Sequence, residues 1–125
     1  MEKIKFLKLH NAADNSPRVV RDNLIIAAEK GEDCTILSCF DGDLSSQINV
    51  YETPEKIMSM SSERFIKLHD FDSNGTTCIN VDYIKYVSHT DEMKKEGKGT
   101  VIDAFDLSFS VHETPEKVYN YLIKE

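Results

Sequence analysis

Two hexapeptides in this chain are nearly identical. Glu113-Thr114-Pro115-Glu116-Lys117-Val118 restates Glu52-Thr53-Pro54-Glu55-Lys56-Ile57 with one conservative change. Phe65-Ile66-Lys67-Leu68-His69 likewise restates Phe6-Leu7-Lys8-Leu9-His10, and Asp82-Tyr83-Ile84 answers Asn23-Leu24-Ile25. The 125 residues therefore read as two copies of one unit of about 60 residues, 1–61 and 62–125. A unit of that size buries too small a share of its surface to be secure alone, so the copies are expected to pack around a shared core.

The local patterns give each unit its elements. Lys3–His10 alternates, with Leu7 and Leu9 on one side and Lys8 and His10 on the other, which is the signature of a half-buried strand. Asn11–Pro17 is a turn. Arg18–Glu29 is ambiguous: Val19-Val20 and Leu24-Ile25-Ile26 suit a strand, whereas Ala27-Ala28-Glu29 also suits a helix. The plainer strand character of 76–88 in the second copy decides for strand. Cys34–Phe40 and Gln47–Tyr51 complete the first sheet. Thr53-Pro54 then opens a helix, because Thr caps well and Pro is pre-organised for the first helical position. Glu52 with Glu55, and Glu113 with Glu116, read as capping and helix-dipole charges rather than as catalytic carboxylate pairs. In the second copy, strands are expected over Phe65–Phe71, Thr76–Val87 with a bend at Asn80–Asp82, Thr100–Phe105 and Leu107–His112. The closing helix carries Val118, Tyr121 and Leu122 as one stripe. Asp91–Gly99 forms a charged hairpin tip. The expected fold class is α+β: two tandem β-β-β-β-α repeats packed as one pseudo-symmetric domain.

Leu68, the turn residue Gly75, Ile79-Asn80-x-Asp82-x-Ile84, Thr100-Val101-Ile102 and Val111-x-Glu113 together resemble the small flagellar FlbD-like family, whose members are one unit long. The resemblance covers most of 65–123 and, more faintly, 4–60, where Arg21 and Asn23 replace Asn80 and Asp82. Its motif residues are structural, so it implies a fold rather than an activity.

Charge and composition narrow the function. A formal net charge of −7 repels phosphate backbones, so nucleic acid is a disfavoured partner. Cys34, Cys39 and Cys78 are an odd number without paired spacing and read as free thiols in a cytoplasmic protein. Met1-Glu2-Lys3-Ile4 runs straight into a strand pattern rather than a signal peptide, and no apolar run approaches the ~20 residues of a membrane span.

The chemical motifs are few. Asp70-x-Asp72-x-Asn74-Gly75 opens like a calcium loop, but Val81 stands where that loop needs its bidentate glutamate, and a polar turn is the simpler reading. No spacing suits zinc, no serine or cysteine sits in a recognisable triad frame, and the five glycines form no phosphate loop. Lys94-Lys95-Glu96-Gly97-Lys98 is basic, but Asp91, Glu92 and Glu96 offset it. No catalytic residue, cofactor or metal is expected. The candidate interaction surface is His10 and His69, at equivalent outward positions, with Tyr83 and Tyr119, a residue type enriched at protein contacts.

The expected function is a non-enzymatic protein–protein interaction module that associates with a protein partner or with itself through unpaired strand edges. Its acidic surface would take a basic partner or inhibit a nucleic-acid-binding protein. The alternative is a nucleic-acid-binding regulator using Lys3, Lys5, Lys8, Lys67 and Lys85 on a sheet face.

Overall fold

The alternation at the start of each copy does what its period requires: Leu7, Leu9, Ile66 and Leu68 are buried, while Lys8 and Lys67 face outward. The computed structural model describes residues 5–89 and 99–124. The expectations for Lys3 and for the charged segment from Asp91 through Lys98 lie outside the described residues.

In chain order the elements are β1 (Phe6–His10), β2 (Pro17–Arg21), a 3-10 turn (Asp22–Leu24), β3 (Ile25–Lys30), β4 (Thr35–Asp41), β5 (Leu44–Val50) and α1 (Pro54–Met60). There follow β6 (Phe65–His69), β7 (Thr76–Asn80), a second 3-10 turn (Val81–Tyr83), β8 (Ile84–Ser88), β9 (Thr100–Ala104), β10 (Leu107–Val111) and α2 (Pro115–Ile123). The fold is mixed α+β, with antiparallel sheets and, among the described residues, two short helices. Among the described residues five strands precede each of α1 and α2, not the four expected, because Arg18–Glu29 and Thr76–Val87 are each two strands rather than one. A buried Asp22 turns the chain between them: its carboxylate accepts from the Ser62 N–H at 2.7 Å and from the Ser61 hydroxyl. In the second copy the Asn80 side chain plays a related part, accepting from the Asp82 N–H at 3.0 Å. The bend read at Asn80–Asp82 is this second turn; its counterpart at Asp22–Leu24 is not read from the sequence, because a three-residue turn is shorter than the window over which hydrophobic alternation is read.

The strands form a two-stranded sheet β1-β2, a five-stranded sheet β5-β4-β3-β7-β6 and a three-stranded sheet β10-β9-β8. Isolated bridges join Asn11 to Val50 and Asp70 to Val111. The neighbours therefore run β2-β1-β5-β4-β3-β7-β6-β10-β9-β8. At the middle of this order β3 pairs with β7, Ala27 opposite Ile79, Ala28 opposite Cys78 and Glu29 opposite Thr77. This junction explains the ambiguous alanines. β3 is covered on both faces, so Ile25-Ile26-Ala27-Ala28 is a continuous apolar run of a fully buried strand, and a bulge lies between Ile25 and Ala27.

Two core clusters follow from that double burial. One gathers Leu7, Leu9, Ile25, Leu37, Val50 and Ile57, and takes Phe65 and Cys78 from beyond α1. The other gathers Ile66, Leu68, Ile79, Ile102, Val111 and Val118, and takes Ile26 and Ala27 from β3. Each cluster thus includes side chains from both halves of the chain.

Thr53 and Thr114 cap the helices as expected, their hydroxyls accepting from Lys56 N–H at 3.1 Å and Lys117 N–H at 3.2 Å. The opposite helix ends are served by the residues just before β1 and β6: Lys5 Nζ donates to the Met60 carbonyl at 2.6 Å, and the Arg64 guanidinium donates to the carbonyls of Tyr121 and Lys124. Cations at these positions satisfy orphan carbonyls and complement the helix dipole. Tyr121 and Leu122 pack with the buried Val118, so the stripe read from the sequence is the inner face of α2.

Candidate interaction surface

His10 ends β1, and Glu52 stands just before the capping Thr53. The bridge between Asn11 and Val50 brings these ends together, with Tyr51 N–H donating to the His10 carbonyl at 2.8 Å. Glu52 then reaches back. Its Oε1 accepts from the His10 backbone N–H at 2.9 Å, and its Oε2 lies 2.6 Å from His10 Nδ1. The second copy builds the same bracket. His112 N–H donates to the His69 carbonyl at 2.8 Å, Glu113 Oε1 accepts from the His69 backbone N–H at 3.0 Å, and Oε2 lies 2.8 Å from His69 Nδ1. Both carboxylates are buried and both imidazoles are partly exposed.

Burial is the largest single influence on each glutamate and works upward. The hydrogen bonds from the histidine ring and backbone together outweigh it, leaving Glu52 and Glu113 below the ordinary glutamate value of 4.5. This corrects the reading of Glu52 and Glu113 as helix-capping charges: the threonines cap, and these glutamates hold histidines. Glu55 does occupy the first turn of α1, where it also accepts from the Thr76 hydroxyl at 3.2 Å and lies 3.6 Å from Lys67 Nζ.

A carboxylate-oriented imidazole is the base half of a nucleophilic site. The recess beside His10, of about 510 Å³, is lined by His10, Asn15, Tyr51, Glu52, Thr53 and Lys56, and the recess of about 560 Å³ beside His69 runs between Arg64, Lys67 and Tyr121. Neither lining contains a serine or cysteine. Each bracket pins the end of a strand, β1 or β6, to the start of the following helix, α1 or α2. Among the described residues, no three His, Cys, Asp or Glu side chains are grouped so as to hold a metal ion. The Asp70 carboxylate accepts from the N–H groups of Asp72 and Ser73 at 3.1 and 2.9 Å, so it serves its own turn. Asn74 takes the positive φ of that turn, 60°, as Asn15 does in the first copy.

The two tyrosines sit apart from the brackets. Tyr83 is partly buried: its hydroxyl donates to the Asn23 carbonyl at 2.8 Å, and its ring lies 6.2 Å from Phe40 and 6.3 Å from Phe105. Burial is the chief cause of the raised pKa of its phenol. Tyr119 is exposed on α2. Among the described residues, no hydrogen bond, ion pair or ring contact joins any two of His10, His69, Tyr83 and Tyr119.

The lysine face is partly engaged. Lys5 caps α1 and Lys67 pairs with Glu55, while Lys8 and Lys85 are exposed.

Unpaired strand edges are expected from the sequence, and the structure places them on β2 and β8 among the described residues. Among the described residues β2 is hydrogen-bonded to β1 alone and β8 to β9 alone, so each has one side without a described neighbour. Val19 on β2 is 64% exposed and Tyr86 on β8 is 66% exposed. The tyrosine and the paired valines are visible in the sequence; their position on open edges is not. Comparison of the chain with protein-family models, curated proteins and solved structures gives no match. No helix among the described residues is long and apolar enough to cross a membrane.

Proposed function

We propose that this chain is a non-enzymatic protein–protein interaction module, two tandem units packed as one pseudo-symmetric domain, that takes its partners along open sheet edges. The supporting observation is the pair β2 and β8: among the described residues each is paired on one side only, and each carries an exposed apolar side chain, Val19 or Tyr86. An unpaired strand offers a row of backbone donors and acceptors to an incoming strand, and apolar side chains on it add contact area. The net charge of −7 favours basic partners at long range. The matching His–Glu brackets, the threonine caps and the helix-end cations Lys5 and Arg64, each just before a strand, support the pseudo-symmetric reading. The FlbD-like resemblance contributes fold-level analogy only. Free thiols suit a reducing cytoplasm.

The nucleic-acid reading draws less support, because Lys5 and Lys67 already have partners within the chain. The test is a pull-down from native lysate with the intact chain and with a Val19→Lys/Tyr86→Lys variant, washed at low and high salt. A protein partner recovered by the intact chain and lost by the variant is expected, with high salt removing the charge-dependent part. Equal protein recovery by both chains overturns the edge assignment, and nuclease-sensitive nucleic acid held by both favours the regulator.

A further inference from the structure

We infer that the occupant of these open edges is a second copy of this chain, β8 of one copy pairing antiparallel with β2 of the next; this rests on the interaction reading above. The template lies inside the molecule. The repeat that maps His10 onto His69 also maps β3 onto β8 and β2 onto β7. Within the chain β3 pairs with β7, Ala27 opposite Ile79, Ala28 opposite Cys78 and Glu29 opposite Thr77. The equivalent ladder would set Tyr86 opposite Val20, Val87 opposite Val19 and Ser88 opposite Arg18. Its two strands, β8 and β2, are the opposite ends of the strand order and do not pair with each other.

Exposure at equivalent positions identifies what is missing. Cys78 and Ala27, inside the internal junction, are 1% and 0% exposed. Their counterparts Val19 and Tyr86 are the large apolar side chains left open at the two edges, and a strand arriving in the same register would cover both.

The remaining residues of β2 accommodate that register. Pro17 is the counterpart of Thr76, one position beyond the three paired residues, so its missing N–H removes no ladder bond. Arg21 is the counterpart of Asn80, whose amide donates to the Ile25 carbonyl at 2.9 Å. The guanidinium, which now lies over the Phe6 ring at 5.5 Å, carries donors for the equivalent Ile84 carbonyl. The two edges differ, so the contact is head-to-tail, and its repetition closes a ring or extends a filament.

The test is the mass of the purified chain in solution, by light scattering during size-exclusion chromatography. The intact chain is expected to exceed the 14.3 kDa of a single copy, and Val19→Lys or Tyr86→Lys to fall to that mass with an unchanged circular dichroism spectrum and melting temperature. Register is read by mixing Arg18→Cys and Ser88→Cys copies, both in a Cys34→Ser background. The mixture should oxidise to a disulfide-linked pair, which neither variant forms alone. Cys39 and Cys78 interfere little, because burial pushes their thiols up to about 11 and about 12. A single-copy mass at about 0.1 mM, where a contact of about 10 μM would be mostly occupied, overturns the inference. If that monomer still captures a partner through Val19 and Tyr86, the interaction reading survives and only the second copy is excluded. A monomer that captures nothing ends both.

Discussion

Replacing Glu113 by glutamine isolates the charge of one bracket while keeping its shape. The amide oxygen can still accept from the His69 backbone N–H, which Oε1 now does at 3.0 Å, but the negative charge beside Nδ1, 2.8 Å from Oε2, is gone. A hydrogen bond to a charged group contributes about 1.5–3 kcal/mol and a neutral one about 0.5–1.5, so the backbone contact weakens by about 1 kcal/mol. The ring contact involves a half-exposed imidazole and adds at most about 1 kcal/mol. A loss of about 1–2 kcal/mol lowers the melting temperature of a chain of this length by about 4–8 °C. The dependence on pH has a definite sign. The folded carboxyl lies below the ordinary glutamate value, so the unfolded chain takes up this proton first as the solution is acidified. The bracket's contribution is therefore complete above the ordinary glutamate range and is lost as pH falls through the folded pKa. Urea unfolding followed by circular dichroism should show the intact chain ahead of Glu113→Gln at about pH 7, with the gap closing between about pH 5 and pH 3. A Glu113→Gln chain as stable as the parent at neutral pH, or a gap that stays constant into acid, would refute the bracket as a charge-assisted clamp.

Asn80→Ala removes a fully buried amide that donates to the Ile25 carbonyl and accepts from the Asp82 N–H, and should cost about 2–3 kcal/mol in urea unfolding. Thr114→Ala strips the hydroxyl that accepts from Lys117 N–H and should cost about 1 kcal/mol, measurable as a lower urea midpoint with an unchanged slope. Cys39 and Cys78, pushed up to about 11 and about 12 by burial, should label slowly with a disulfide reagent in the folded chain near pH 8 and quickly once unfolded.

Much of this molecule follows from chemistry that acts over a few residues. The alternation around Leu7 and Leu68 sets which side of each first strand is buried, because side chains in a strand point to opposite faces in turn. Thr53-Pro54 and Thr114-Pro115 fix the helix starts, because the capping hydroxyl and the N–H it satisfies are three residues apart. The bend at Asn80 is legible for the same reason. The matched segments, found by comparing one half of the sequence with the other, set His10 beside His69 and Glu52 beside Glu113 as counterparts from sequence alone. Tertiary structure decided what depends on distant neighbours. His10 meets Glu52 across 42 residues and His69 meets Glu113 across 44, and no local preference makes a glutamate beside a helix cap turn back to a strand end. β3 and β8 occupy equivalent places in the matched sequence segments, yet among the described residues β3 lies between two strands and β8 has one neighbour, and Ala27 is buried where Tyr86 is exposed. Burial is a property of what packs against a strand, and that is settled only when the sheets assemble.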